Sequence, residues 1–154
     1  MNYIIEAEKI LKDHKKLLDS LRNLEARKNK IIKKGVPKDI IGISYDKPSI
    51  QHQSYSEDTI NQICEITEID ADIQETEAEI QIVTDILEQI KKENPILEKF
   101  IQLRYLSSDK KSLRNVATEL GYSEDSNHAI YEIKNKSLRE FAILYFGARA
   151  QKNT

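Results

Sequence analysis

LRNVATELGYSEDSNHAIYEIKNKSLREF, residues 113–141, is the stretch that decides how this 154-residue chain folds. Leu113, Val116, Ala117 and Leu120 recur at the spacing of one buried helical face, and Ser112 stands where an N-cap belongs. Gly121 follows the last apolar residue, where the chain must leave the helix through a left-handed conformation that only Gly adopts without steric cost. Ala117 sits four residues before that Gly. Two helices crossing steeply over a short turn need a small side chain at their contact, and this spacing supplies one.

Ser123, Ser126 and Asn127 offer caps for a second helix, in which Ile130, Ile133, Ser137, Leu138 and Phe141 fall on one side at about 100° per residue. In the tight form of a helix-turn-helix, an apolar residue follows the turn Gly by about six positions. Here that position is Asn127. The anchor is therefore read as Ile130, with a turn about three residues longer that takes in Glu124 and Asp125. The same pattern also fits the last two helices of a purely structural bundle.

The polar positions favour DNA. Opposite the apolar side lie His128, Glu132, Asn135 and Arg139, flanked by Tyr131 and Lys136, groups that can touch base edges and phosphates. Ser126, Asn127 and His128 stand at the helix start, where a recognition helix reaches into the major groove. Lys110, Lys111 and Arg114 lie just before and within the first helix, where such motifs touch the phosphate backbone.

Net charge is −2, which by itself argues against nucleic acid, so its distribution matters. Residues 1–34 carry ten Lys/Arg against five Asp/Glu, residues 56–93 two against twelve, and residues 94–154 ten against seven. The acidity belongs to one segment, and the candidate DNA-binding end is mildly basic. Such a small surplus gives weak phosphate attraction from one copy, and two copies on one site are the natural remedy.

Asn2 to Lys34 reads as one long helix, with Tyr3, Ile10, Leu17, Leu24 and Ile31 every seven residues and Ile4, Leu11, Leu18 and Ile32 beside them. Gly35 and Pro37 end it. Ser56 to Glu93 is a second long helix, with Ile66, Ile73, Ile80 and Leu87 alternating with Ile69, Thr76, Val83 and Ile90 in heptads, a stripe that seams against the first helix or, as an equally physical alternative, zips two subunits together. The expected fold is all-α: a long, coiled-coil-like antiparallel helical hairpin over residues 1–93, then a small helix-turn-helix globule over 94–147. Residues 148–154 are expected to be a flexible tail. The internal linker 35–55 carries Ile40, Ile41, Ile43 and Tyr45 and is expected to pack in part; Tyr45, Asp46 and Pro48 read as a turn that seals the hairpin, in preference to a recognition element. Asn94 and Pro95 cap the next helix, which offers Leu97, Phe100, Ile101 and Leu103 to the core.

A helix ending in LRYL (103–106), a short polar turn, then SLRNVATELGYS (112–123) and a helix ending in SLREF (137–141) together resemble region four of bacterial sigma factors, the module that reads the upstream promoter element. Joined to a charged helical N-terminal half with an internal ISYDKPS segment (43–49), the layout resembles phage-encoded late-gene regulators of the ArpU/RinA type. The resemblance implies a phage or prophage activator acting on double-stranded DNA, with host RNA polymerase as a candidate partner; a second copy of the chain is a further candidate, on the charge argument above. It also implies that Arg114, His128, Tyr131, Lys134, Asn135 and Lys136 face DNA. Sigma factors melt promoters with a separate aromatic-rich domain. The N-terminal half here has only Tyr3, Tyr45 and Tyr55, so an accessory regulator is expected.

Enzyme readings fare poorly. His14, His52 and His128 lack Cys or carboxylate neighbours at metal-ligand spacing on a common helical face, and there is no Gly-rich phosphate loop or nucleophile elbow. No catalytic residue, metal or cofactor is expected. His14, on the apolar side of the first helix, reads as a packed residue. The single Cys64 suits a reducing cytosol, and no apolar run suits a signal peptide or membrane span; a cytoplasmic protein is expected. Two rivals stand beside the regulator. One is a small-terminase-like DNA-packaging protein, and the other is a coiled-coil adaptor whose C-terminal globule binds protein.

Overall fold

The computed structural model describes residues 1–34, 56–123 and 125–153. These residues are all-helical, with no strand among them. The elements are α1 (Tyr3–Lys33), α2 (Glu57–Glu93), α3 (Pro95–Ile101), a π-helical turn that prolongs α3 (Gln102–Leu106), α4 (Leu113–Glu119), α5 (Asn127–Phe146) and α6 (Ala148–Asn153). The expected roles of linker residues Ile40, Ile41, Ile43, Tyr45, Asp46 and Pro48, the Gly35–Pro37 stop and Glu124 in the turn lie outside the described residues.

The long helices start where small polar side chains can take up free backbone N–H groups. The Asn2 side-chain oxygen accepts from the N–H groups of Ile4 and Ile5 at 3.1 and 3.3 Å, and Ser56 Oγ accepts from Thr59 N–H at 3.3 Å. Both are N-caps in the ordinary sense. Asn94 holds the N-cap position of α3 with Pro95 after it, but its side chain makes no capping bond.

Two compact units form, Met1–Leu18 with Ala78–Thr154, and Asp19–Glu77. This partition differs from the expected boundary at residue 93. Each unit combines part of α1 with part of α2, an arrangement compatible with the expected hairpin. In the Asp19–Glu77 unit, Leu24, Ile31, Ile66 and Ile69 form a small core with Ile32 and Ile73 at its edge. The other unit holds the main core. Ala7 and Leu11 of α1 join Val83, Ile86, Leu87 and Ile90 of α2 and the apolar residues of the C-terminal helices.

Four features position the C-terminal helices. Phe100, Ile101, Ile130 and Phe141 are at most 2% exposed and form the centre. Ser137 is fully buried on α5, where its small side chain lets α3 approach; its hydroxyl donates to the Ile133 carbonyl at 2.7 Å. The π-helical turn swings Tyr105 into the core, edge-on to Phe100 with ring centroids 6.3 Å apart. Tyr3 stacks obliquely on Phe146 at 5.2 Å, tying the start of α1 to the end of α5.

Residues 148–153 correct the expected flexible tail. Gly147, at φ 75°, accepts from Ala150 N–H at 3.0 Å and Gln151 N–H at 3.3 Å, which starts α6, and Ala150 is fully buried in the main core. One small apolar residue after a turn Gly is enough to dock a short helix. No helix among the described residues is long and apolar enough to cross a membrane.

Candidate nucleic-acid interface

The helix-turn-helix geometry starts at Ser112, whose side chain accepts from Asn115 N–H at 3.2 Å and so caps α4. Val116 and Ala117 face inward at 0% and 4% exposure. At the other end of α4, Tyr122 N–H donates to the Ala117 carbonyl at 2.9 Å and Gly121 N–H to the Thr118 carbonyl at 3.1 Å. That pair of bonds is a Schellman motif. It requires the positive φ of 88° that Gly121 adopts, and Tyr122 folds back against the core. In the turn, the hydroxyls of Ser123 and Ser126 lie 2.7 Å apart. Ser126 holds the N-cap position of α5 without a side-chain capping bond, and Ile130 is the first fully buried residue beyond.

The outer face of α5 carries His128, Tyr131, Glu132, Asn135, Lys136 and Arg139, all exposed. At about 100° per residue, all but Tyr131 fall within an arc of about 100°, and Tyr131 lies at its edge. His128 Nε2 lies 3.5 Å from Glu132 Oε1 one turn along, so His128 does have a carboxylate neighbour on its helical face, contrary to expectation; no third His, Cys or carboxylate joins the two among the described residues. Lys136 and Arg139 have no ion-pair partner among the described residues. Asn127 is exposed at the first position of the helix.

Other expected contacts are engaged inside the molecule. Lys134 is turned toward α1, its side chain only 23% exposed and its ammonium 3.5 Å from Glu8. Lys111 is 22% exposed and pairs with Glu119 at 2.6 Å, while its carbonyl accepts from the Arg104 guanidinium. Ser126 is half-buried with its hydroxyl on Ser123. In both lysines a carboxylate within reach of a flexible stem captures the ammonium, and sequence spacing alone does not reveal such a partner. Lys110 remains exposed at the foot of α4, again with no ion-pair partner among the described residues. Arg114 is exposed but already makes an interaction within the protein.

Glu8 and Tyr105 bear on the site and carry no signal for it in the sequence. The Tyr105 hydroxyl donates to Glu8 Oε1 at 2.9 Å across 97 positions of chain. Burial pushes the Tyr105 hydroxyl far above its usual range, and the Glu8 carboxylate adds to the rise. Burial alone would raise Glu8 as well. The Tyr105 hydrogen bond, then Lys134 and Lys12, outweigh it and hold the carboxyl below its usual range.

No protein-family model, curated protein or solved structure matches this chain.

Proposed function

We propose that this protein is a sequence-specific, double-stranded-DNA-binding transcriptional regulator that reads a promoter-proximal site with α5. The resemblance of residues 95–141 to sigma region four extends that reading to a phage or prophage late-gene activator working beside host RNA polymerase in the cytoplasm. One observation carries it: an anchored helix-turn-helix presents a helix whose exposed face bears His128, Tyr131, Asn135, Lys136 and Arg139, with Glu132 the one acidic side chain among them.

His128 and Asn135 can hydrogen-bond base edges, Asn with the bidentate geometry that suits adenine. Tyr131, 53% exposed at the edge of that face, has an apolar ring to lay against thymine methyls. Lys110, Lys136 and Arg139 supply phosphate contacts. With so few free cations, one copy binds weakly, and a dimer on a two-part site restores affinity.

The test is selection of bound duplexes from a random pool, followed by gel shifts across a salt series. A recovered motif whose binding is lost in the double variant His128→Ala/Asn135→Ala supports the reading. Recovery of no motif overturns it. A second reading, a helical adaptor whose globule binds protein, is favoured by the capture of Lys111 and Lys134 in internal ion pairs. It predicts no salt-sensitive retention of duplex DNA.

A further inference from the structure

Three side chains from three elements converge on one carboxylate oxygen. Glu8 Oε1 accepts from the Tyr105 hydroxyl at 2.9 Å, and it faces the ammonium groups of Lys12 at 3.4 Å and Lys134 at 3.5 Å. The Glu8 side chain is 21% exposed and that of Lys134 23%, whereas Lys12 is 59% exposed. Tyr105 is thus buried, and Glu8 and Lys134 are the partly buried members of the cluster. Tyr105 fixes where the carboxylate stands, and the carboxylate fixes where Lys134 points.

Lys134 lies about 60° around α5 from Tyr131, at the border between the outer face and the α1 side. A four-carbon stem at that border can serve either direction. In this structure it serves α1. Resting on the DNA reading above, we infer that Glu8 is the internal counter-ion of the reading helix: by holding Lys134 against α1 it withholds that cation from a DNA backbone and limits sequence-independent binding.

Each further phosphate neutralised steepens the salt dependence of duplex binding by about 0.9 in log–log slope. A protein with only a few free cations at the interface feels one more strongly. Holding non-specific affinity down matters to a regulator, because every non-target duplex competes with its site.

The experiment is a double-mutant cycle on the full chain with Glu8→Gln, Lys134→Gln and the pair, read as affinity for a random-sequence duplex between low and moderate salt. Glu8→Gln is expected to tighten binding about three- to tenfold and to steepen the slope by about one. The gain should disappear when Lys134→Gln is added. A gain that persists in the pair shows only the long-range charge of Glu8 and overturns the inference, as does a folded Glu8→Gln with no gain. A second readout needs no DNA: the rate at which an amine-reactive acylating reagent modifies Lys134 should rise several-fold in Glu8→Gln, or in Glu8→Asp if the first variant does not fold. An unchanged rate overturns the counter-ion role. Wild-type protein that retains no duplex, with Lys134 shielded as stated, overturns the DNA reading instead.

Discussion

Lys28 Nζ lies 2.6 Å from Asp70 Oδ1, a contact between α1 and α2 inside the Asp19–Glu77 unit. It looks like the clasp of that unit, but magnitudes say otherwise. Asp70 is 41% exposed, and an ion pair so open to water contributes under about 1 kcal/mol. Ile69, 2% exposed in the adjoining core, is a different case. Truncating a buried Ile to Ala costs about 2–5 kcal/mol through lost transfer energy and the cavity left behind. Asp70→Asn should therefore shift the urea midpoint slightly, and Ile69→Ala should shift it several times further. A larger effect from Asp70→Asn would show that charge rather than packing holds these helices.

Gly121 offers a cleaner test of backbone conformation. A Cβ added there meets nothing within 4 Å, so Gly121→Ala introduces no clash with a neighbour. What it introduces is a side chain at φ 88°, a region that costs an L-residue about 1–2 kcal/mol. The expected loss in thermal or urea stability lies in that range. Ala117→Leu, at 4% exposure against the helices it faces, should cost as much or more by overpacking, about 1–3 kcal/mol. It should also splay α4 from α5, so any DNA binding should fall more in Ala117→Leu than in Gly121→Ala at matched stability.

His14 makes stability depend on pH. It is 5% exposed, and its Nδ1 finds no partner among the described residues. Burial disfavours the imidazolium and lowers the pKa below its ordinary 6.5. The unfolded chain then binds the proton more readily than the folded one. Stability must fall as pH drops below about 6.5 and level off only once the folded imidazole also titrates, with a slope of at most about 1.4 kcal/mol per pH unit for one proton. Melting curves between pH 7.5 and 5.5 should show the decline in wild type and a flatter course in His14→Leu. Glu8 runs the same way in a lower window: its depressed carboxyl stabilises the fold above its ordinary 4.5, and that contribution is lost as pH falls through the lowered value.

What the sequence revealed depended on whether a residue's partner was local. The α2 heptads were legible because large apolar residues repeat locally: Ile66, Ile69, Val83, Leu87 and Ile90 are buried, while Ile73, Thr76 and Ile80 are half-buried and Ile86, outside the pattern, is buried as well. The α4 cap, the Gly121 turn and the Ile130 anchor were legible for the same reason, since each rests on neighbours within a few residues. On α1 the heptad of large residues was visible, but the most deeply buried positions are Ala7, Leu11 and His14. An Ala and a His give weak apolar signals, although close helix approach favours the small one. Nothing local marks Ala150 as a core residue, the π-helical turn that inserts Tyr105, or the carboxylates that capture Lys111 and Lys134. Glu8 meets Tyr105 from 97 positions away.

That difference between local and long-range partners separates the lysines of the candidate interface. Lys136 and Arg139 are exposed on the outer face of α5, while Lys111 is already matched by Glu119 at 2.6 Å. If phosphate contact drives affinity, the double variant Lys136→Gln/Arg139→Gln should lower the log–log salt slope by about two and weaken binding to all duplexes alike. Lys111→Gln should change the slope by less than about half a unit, because its charge is spent internally. It should instead cost a little stability by leaving Glu119 unpaired, within about 1 kcal/mol for a carboxylate 44% exposed. Isothermal titrations or gel shifts at three salt concentrations, with melting temperatures for each variant, separate the two effects. Equal slope changes in all three positions would mean that the Lys111–Glu119 pair opens on binding, and that a cation paired in the free protein still serves the DNA.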